Sequence, residues 1–354
     1  MTHETLRPPA MTSLPVEAPQ VAVLILTHNH ENYIGACIES IVRSALKRYH
    51  IWVLDGGSTD ATPDVVADIA RKTGNITLLR QPPNGGRTSD YSQRLIDEST
   101  GDYLVLMSGD DLFGPTDGIE RAIAALETTP GLALVIPRMV YLMQDPARTA
   151  PPCHEAGLLT ALRSGDADMV LRQHLYRTVS RIFLQAMVLR RSDVDAFGGF
   201  DTEMLADDFA FVLRLFRYLS ETGRAFRFDE SSIWLYRVHA SNVHRDPVRQ
   251  FTLIAEVVAR YVPADARRHF HWDAVVIENH AQLAAIQAKA FDLLGKAGAM
   301  RALRPTMRPT ARAAARRGDV RLICRLLLGK GVPLLQRVTA ARYLPKAMAR
   351  GLMK

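Results

Sequence analysis

Acidic and glycine-containing turns follow several apolar runs of the chain, and these turns hold most of the residues that can do chemistry. Asp55 follows the run Ile51 to Leu54, and the pair Asp110 and Asp111 follows a run that begins at Tyr103. Apolar runs that each lead through a polar turn into a helical stretch are typical of parallel strands, whose carboxyl ends share one edge of a sheet. Carboxylates at that edge suit a divalent cation better than a protein core, where unpaired charge is costly.

The pair Asp110 and Asp111 is the first candidate metal site. Mg²⁺ and Mn²⁺ take hard oxygen ligands, and waters and phosphate oxygens complete their coordination. Aspartate is also common in turns and helix caps, so the pair alone fits a structural role equally well. His28 and His30 make a weaker case for a metal, because two histidines at i, i+2 lack a third ligand nearby, and we leave them out of the predicted site.

Polar side chains at the other strand ends are candidates for contacts to a nucleotide. Thr27 and Asn29 follow the first run, and the two glycines after Asp55 let the backbone approach a ligand closely. Arg87 offers a bidentate contact to a phosphate, and Asp90 offers an acceptor for a base or a sugar hydroxyl. Both residues also fit the start of a helix.

Two later segments hold candidates for proton transfer and charge stabilisation. Asp207 and Asp208 precede an amphipathic stretch, where adjacent acids usually cap a helix. If the earlier turns bind a nucleotide-linked substrate, a carboxylate here is the expected base for an acceptor hydroxyl. The basic loop that contains Arg237, His239 and Arg245 is either solvated or folds over a diphosphate and stabilises its charge.

Composition bounds the class of protein. A chain of 354 residues with 47% hydrophobic content is long enough for one large domain and a smaller one. The three cysteines are far apart, which indicates neither a zinc site nor a disulfide framework and favours a cytoplasmic setting. No apolar stretch reaches the roughly 18 residues expected of a transmembrane helix. Residues 1–19 lack an apolar signal-peptide core and are predicted to be a disordered lead-in.

Positive charge is concentrated near the carboxyl terminus. Residues 301–354 hold 14 lysines and arginines against one acid, so the other residues carry a net charge of −6 within an overall +7. Arginines at steps of three or four form a basic stripe, which fits an anionic membrane leaflet or the solvated face of a helical subdomain. The stretch has few aromatics, and no nucleic-acid partner is expected.

Alternating patterns predict an α/β domain followed by a helical one. We expect strands at 21–26, 50–55, 76–80, 103–107, 132–136 and 184–189, and helices at 31–44, 61–72, 88–98, 117–127 and 207–219. The weaker pattern at 137–175 indicates an insertion on the acceptor side. Residues 247–354 are rich in Ala, Leu and Arg without strand patterning, which predicts a helical, basic C-terminal domain.

The ordered set of motifs resembles the family 2 glycosyltransferases of the GT-A fold. The resemblance extends from Val21 to Arg245 and rests on THNHENYIGACIESI, DGGSTDAT, TSDYSQRL, TGDYLVLMSGDDLF, LQAMVLRRSDVDAFGGFD, ADDFAFVLRL and LYRVHASNVH. It implies a Rossmann-like, mixed and mainly parallel sheet flanked by helices in residues 20–246. It also implies an inverting, metal-dependent transfer from a nucleoside-diphosphate sugar, by default a UDP-sugar.

The resemblance also implies roles for individual residues. Asp208 would be the catalytic base, Asp111 the ligand of Mg²⁺ or Mn²⁺, and Asp110 a contact to the ribose or sugar. The nucleoside would be framed by Thr27, Asn29, Asp55 and Asp90. The first acid of the family's D-x-D-D-like motif is replaced in this chain, so metal binding would rest on Asp111. The processive Q-x-x-R-W motif is absent, which favours transfer of one sugar.

The implied acceptor is a glycan or a lipid-linked glycan of surface polysaccharide synthesis, with the protein peripheral on the inner face of the cell membrane. Two alternatives stay open: an inactive GT-A-like protein that binds a donor, and a nucleic-acid-binding protein that uses its basic tail. A dinucleotide-dependent oxidoreductase is disfavoured, because no G-x-G-x-x-G follows the first strand. A sugar nucleotidyltransferase is disfavoured because its glycine-rich basic loop is missing there.

Overall fold

The computed structural model describes most of the chain between residues 20 and 239 and little beyond it. The described residues are 20–82, 87–114, 117–143, 156–176, 182–205, 208–239 and 256–263, with single residues at 253, 341 and 345. The predicted lead-in at 1–19 and nearly all of the predicted C-terminal domain lie outside them. By its contacts the chain divides into two compact units, one of Met1–Leu171 with Ile182–Ala240 and one of Arg172–Arg181 with Ser241–Lys354. The predicted domain boundary at residue 246 stays a prediction.

Strands and helices alternate strictly over the first seven described elements and less regularly after them. The strands are β1 Val21–Thr27, β2 Tyr49–Asp55, β3 Ile76–Arg80, β4 Tyr103–Ser108, β5 Leu112–Phe113, β6 Leu132–Met143, β7 Val188–Arg190 and β8 Ala225–Val238. The helices are α1 Ile34–Val42, α2 Thr62–Thr73, α3 Thr88–Glu98, α4 Gly118–Thr128, α5 Ala156–Ser164, α6 Ala167–Tyr176, α7 Arg191–Phe197 and α8 Asp208–Thr222. Within the described residues, no helix is both long enough and apolar enough to cross a membrane.

The strands form one mixed sheet in the order β3-β2-β1-β4-β7-β6-β8-β5. Strands β1 to β4 run parallel, β7 is antiparallel to both of its neighbours, β6 and β8 are parallel, and β5 pairs antiparallel with β8. The carboxyl ends of β1, β2 and β4 therefore lie side by side, as expected for a parallel sheet with helical crossovers.

The central strand β1 shows why this sequence folds into a covered sheet. Its residues VAVLILT are apolar without alternation, which is the pattern of a strand buried on both faces. Leu24 packs in a cluster with residues of α3 and α8, whereas Val23 and Ile25 pack in a cluster with residues of α1, α2 and α4. Helices therefore cover both faces of the sheet and leave its carboxyl edge to carry polar side chains.

Most predicted elements are confirmed, the structure adds β5, α7 and β8, which were not predicted, and two predicted segments differ in the second half. The predicted strand at 184–189 begins only at Val188, because Ala186 takes a left-handed backbone conformation with φ of 61°. The predicted insertion at 137–175 begins as a continuation of β6, which pairs with β8 as far as Met143. The rest of that segment includes α5 and α6, and residues 144–155 lie outside the described part.

Candidate functional site

The turns after β1 and β2 are joined by a network of hydrogen bonds. The backbone N–H of Asn29 donates to Ser58 Oγ at 2.8 Å, and the N–H of Thr59 donates to Asn29 Oδ1 at 2.9 Å. Asp55 is fully buried and accepts from the N–H and the hydroxyl of Ser58. Asn29 has φ of 54°, a conformation that asparagine tolerates better than most residues. The two strand ends thus form one surface.

The turn after β4 lies tightly against the end of β1. A Cβ on Gly109 would come within 2.8 Å of the Cβ of Thr27, so only glycine fits there without a shift. Ser108 donates its hydroxyl hydrogen bond to Asp110 Oδ1 and helps to orient that carboxylate. Thr27 is buried, and its hydroxyl lies 3.3 Å from His30 Nδ1. This packing brings the turn after β1 close to Asp110.

A carboxylate and two imidazoles meet at this edge of the sheet. His239 Nε2 lies 2.9 Å from Asp110 Oδ2, and His30 Nε2 lies 3.9 Å from the same oxygen. The three ligand atoms lie within 4.8 Å of one another, and among the described residues this is the group that could hold a metal ion. Asp110 and His239 are buried and His30 is partly buried. The ligand types and their spacing fit a divalent cation.

The electrostatics of the group favour the forms that bind a cation. Burial raises the pKa of Asp110, but the positive charge that His30 carries when protonated and the hydrogen bonds of Ser108 and His239 outweigh it, so the pKa lies below its usual value. Burial lowers the pKa of His30, although Asp110 opposes the shift. A carboxylate that stays ionised and an imidazole that stays neutral are both metal ligands.

Asp111, predicted above as the metal ligand, points away from this cluster into the core. Its side chain is 0% exposed, Oδ2 accepts from Trp234 Nε1 at 3.1 Å, and Oδ1 accepts from the N–H of Arg237 at 2.9 Å. Burial, and next the charge of Asp110, raise the pKa of Asp111 well above its usual value. Both oxygens contact β8, so Asp110, and not Asp111, lies in the cluster with the two histidines. The role of Asp111 as a metal ligand stays a prediction.

An aromatic ring and a guanidinium surround His239. The ring of Tyr33 lies 4.8 Å from the His239 ring, and the Arg237 guanidinium lies 5.1 Å from the centre of the Tyr33 ring. Arg237 Nε also donates to the backbone oxygen of Asp110 at 2.7 Å. Arg237 and His239, predicted for the loop near the leaving group, thus both lie at the turn after β4. Arg245, from the same predicted loop, lies outside the described residues.

The side chain of Arg87, which was predicted to bind a phosphate, makes a hydrogen bond within the protein. Its Nη1 donates to the backbone oxygen of Thr202 at 2.7 Å. Asp90 takes a position in the first turn of α3, where Oδ2 accepts from the N–H of Arg87 at 3.4 Å. The structure therefore gives Arg87 a contact within the protein, and Asp90 the helix-start position that the sequence also allowed.

Asp208 stands at the first position of α8, as the helix prediction implies. It is partly buried, and its Oδ1 lies 2.6 Å from the N–H of Phe209. Its neighbour Asp207 lies outside the described residues. The described contacts leave its predicted role as catalytic base untested.

His30 was left out of the predicted site, although it lies in the cluster, and the reason is topological. His30 was set aside for want of a third ligand, yet Asp110 follows β4, which pairs directly with β1. Adjacency of these two strands is the signal that could have joined His30 to Asp110. His239 could not have been placed in this way, because β8 lies three positions from β4 in the sheet. His28 is exposed and is not part of the group.

The chain resembles known proteins in sequence and in fold. A sequence model described as "Glycosyl transferase family 2" matches residues 22–194, which include β1 to β7 with His30 and Asp110. Residues 22–194 are therefore a glycosyl transferase family 2 domain. The predicted family is thereby confirmed, while Asp208 and His239 lie beyond the matched residues.

Curated relatives differ in how much of their sequence they share with this chain. "Putative glycosyltransferase EpsE" of Bacillus subtilis is 24% identical over 273 residues, which are 72% of this chain and 93% of that protein. Two further relatives, both named as glycosyltransferases, align over 100 and 107 residues only, so the chain spans 28% and 41% of their length.

Solved structures share the fold. The "Mannosyltransferase PcManGT from Pyrobaculum calidifontis in complex with GDP-Man and Mn2+" has a TM-score of 0.52 and 19% identity, covering 96% of this chain and 88% of that one. A crystal structure of S. aureus TarS 1-349 in complex with UDP-GlcNAc has a TM-score of 0.50 and 15% identity, covering 95% and 92%. The predicted GT-A, Rossmann-like fold of the family 2 domain is confirmed.

Proposed function

We propose that the protein is a glycosyltransferase that moves one sugar from a nucleoside-diphosphate sugar to a hydroxyl of an acceptor. The observation that carries the proposal is the group of Asp110, His239 and His30 at the carboxyl edge of a family 2 domain. Ligands of α/β sheets bind outside the carboxyl ends of the strands. The proposal is supported further by two structures of the same fold that were solved in complex with UDP-GlcNAc and with GDP-Man.

The residues that would hold a divalent cation are Asp110, His239 and His30. A bound cation would offset the negative charge that grows on the departing diphosphate. Mn²⁺ is a better candidate than Mg²⁺, because two of the three ligands are imidazole nitrogens and Mg²⁺ prefers oxygen ligands. Arg237, whose guanidinium lies beside Tyr33 and Asp110, adds a fixed positive charge at this point.

The donor nucleoside would lie on the surface formed by the turns after β1 and β2. Asn29 and Asp55 hold that surface together through Ser58 and Thr59, and Thr27 packs beneath it. Asp90 at the start of α3 is proposed as a further contact. We propose UDP as the nucleotide of the donor. GDP is the alternative, because the two structural neighbours were solved with nucleotides of different bases.

Transfer would proceed by direct displacement with inversion at the anomeric carbon. In that step Asp208 would take the proton of the acceptor hydroxyl as its oxygen forms the new bond to carbon, and the bond from carbon to the diphosphate would break. General-base catalysis of this kind requires a carboxylate beside the acceptor, and the position of Asp208 at the first turn of α8 supports the assignment.

Binding of the donor can be tested by thermal unfolding of the full chain. We expect one nucleotide class among UDP-, GDP-, dTDP- and CMP-sugars to raise the Tm with Mn²⁺, because a ligand that binds only the native state stabilises it. The rise should be smaller with Mg²⁺ and should vanish with EDTA. Equal curves with all donors and ions would contradict the proposed donor site.

The acceptor is proposed to be a glycan or a lipid-linked glycan, with residues 301–354 in contact with an anionic membrane surface on the cytoplasmic side. The support is the net positive charge of that stretch and the relative named EpsE, a putative glycosyltransferase. We expect the full chain to co-sediment with anionic liposomes and to be released by high salt, because the attraction is screened. A chain that ends at Ala299 is the control, and equal sedimentation of both would contradict membrane contact through the tail.

A further inference from the structure

Three side chains, two on α3 and one on the residue before it, hold the segment that leads to α8. Phe200 donates its N–H to Gln93 Oε1 at 2.7 Å, and Ser89 donates its hydroxyl to the backbone oxygen of Met204 at 2.6 Å. Arg87 donates to the oxygen of Thr202 at 2.7 Å. The three backbone partners are two residues apart, so the segment 199–205 lies along one side of α3.

The contacts are built into the local sequence. Gly198 and Gly199 both have positive φ, and a Cβ on Gly199 would overlap Gln93 Oε1, so the turn needs glycine for its conformation and for its close approach to α3. Ser89 is fully buried, which makes its hydrogen bond costly to lose. Arg214 adds hydrogen bonds to the backbone oxygens of Phe197 and Gly199.

The same segment is fixed to α8 by packing. The Phe200 ring lies 4.6 Å from the ring of Phe211, and the Phe197 ring lies 5.0 Å from it. Phe211 is fully buried in the first turn of α8, three residues after Asp208. The segment is thus attached on one side to α3 by hydrogen bonds and on the other to the start of α8 by aromatic contacts.

We propose that Arg87, Ser89 and Gln93 are positioning residues that set the place of Asp208 relative to the donor side of the site. They lie on the helix that carries Asp90, a proposed donor contact, and they hold the segment that precedes the proposed base. The inference rests on the proposed function, since it concerns the base of that reaction. We call these three residues the α3 clamp. A displaced base lowers the rate of transfer without changing the affinity for the donor.

Gln93→Met tests the α3 clamp, because methionine has a similar length but cannot accept the hydrogen bond from Phe200. We expect kcat to fall about 10- to 100-fold, with an unchanged KM for the donor and an unchanged rise of Tm on donor binding. Hydrogen exchange of the peptide that contains Phe200 should become faster. Asp97→Ala is the matched control, because it removes the other hydrogen bond of Gln93, at 2.8 Å, and leaves the segment untouched.

Arg87→Ala separates the α3 clamp from the phosphate contact predicted from sequence. A positioning role predicts a lower kcat with unchanged donor affinity, whereas a phosphate ligand predicts weaker donor binding. The inference is overturned if Gln93→Met and Ser89→Ala keep the kcat of Asp97→Ala, or if donor affinity falls in step with kcat. Absence of turnover and of donor binding in the wild type would instead overturn the proposed function, while hydrogen exchange would still report whether the clamp holds the segment.

Discussion

Replacement of Asp208 with asparagine is expected to lower kcat by about 10²- to 10⁴-fold, the usual contribution of a general base. Asparagine keeps the size of the side chain but cannot take a proton from the acceptor hydroxyl. Because the change leaves the residues proposed to bind the donor and the cation intact, the rise of Tm with donor and Mn²⁺ should match that of the wild type. The measurement is single-turnover transfer, which separates chemistry from product release.

The matched control for Asp208→Asn is Glu221→Gln, an exposed carboxylate near the other end of α8. It makes the same change from carboxylate to amide on the same helix, and its turnover should equal that of the wild type. Normal turnover by Asp208→Asn would remove this residue from the mechanism and direct attention to other acids near the acceptor.

The second large effect is expected on replacing the adjacent residues Asp110 and Asp111, because the two substitutions should change different properties of the protein. Asp110→Asn is expected to abolish the Mn²⁺-dependent rise of Tm and the metal-dependent transfer, because it removes the carboxylate between His239 and His30. Asp111→Asn is expected to keep the metal response and to lose stability, because an amide NH₂ would face an N–H donor of Trp234 or Arg237. One buried unsatisfied group costs about 1–3 kcal/mol.

The measurement is thermal unfolding of both variants with and without Mn²⁺, joined to direct titration of Mn²⁺ binding. A destabilisation of about 1 kcal/mol lowers the Tm by roughly 2–4 °C in a domain of this size. If Asp111→Asn lost Mn²⁺ binding and Asp110→Asn kept it, the assignment drawn from the sequence would be the better one after all.

The strands that carry these aspartates could be predicted from the sequence, but the orientation of the two side chains could not. Apolar runs and polar turns placed β1, β2 and β4 and put Asp55 and Asp110 at one edge, because parallel strands leave little freedom there. Which of two consecutive carboxylates faces the site is decided by the turn after β4 and by its pairing with β8. That pairing joins Leu112 to Leu235, residues more than a hundred positions apart, and no local pattern encodes it.

Arg87 illustrates a second limit. Its type and its place after a glycine-rich turn suit a phosphate, and the same features suit a contact to a backbone oxygen. The choice depends on the Gly198 and Gly199 turn, which carries residues 199–205 past α3. By contrast, the start of α8 at Asp208 was predicted within one residue, because the amphipathic pattern of that helix is long and regular.

The position of His239 at the end of β8 links the stability of that strand end to cation binding. His239 directly follows the last residue of β8 and precedes Ala240, where the first compact unit ends. Strand ends fray more readily than strand centres, so fraying here would remove one of three ligands. By thermodynamic linkage, occupancy by a cation would in turn suppress that fraying. The stability of the carboxyl end of β8 would then rise with the concentration of the cation.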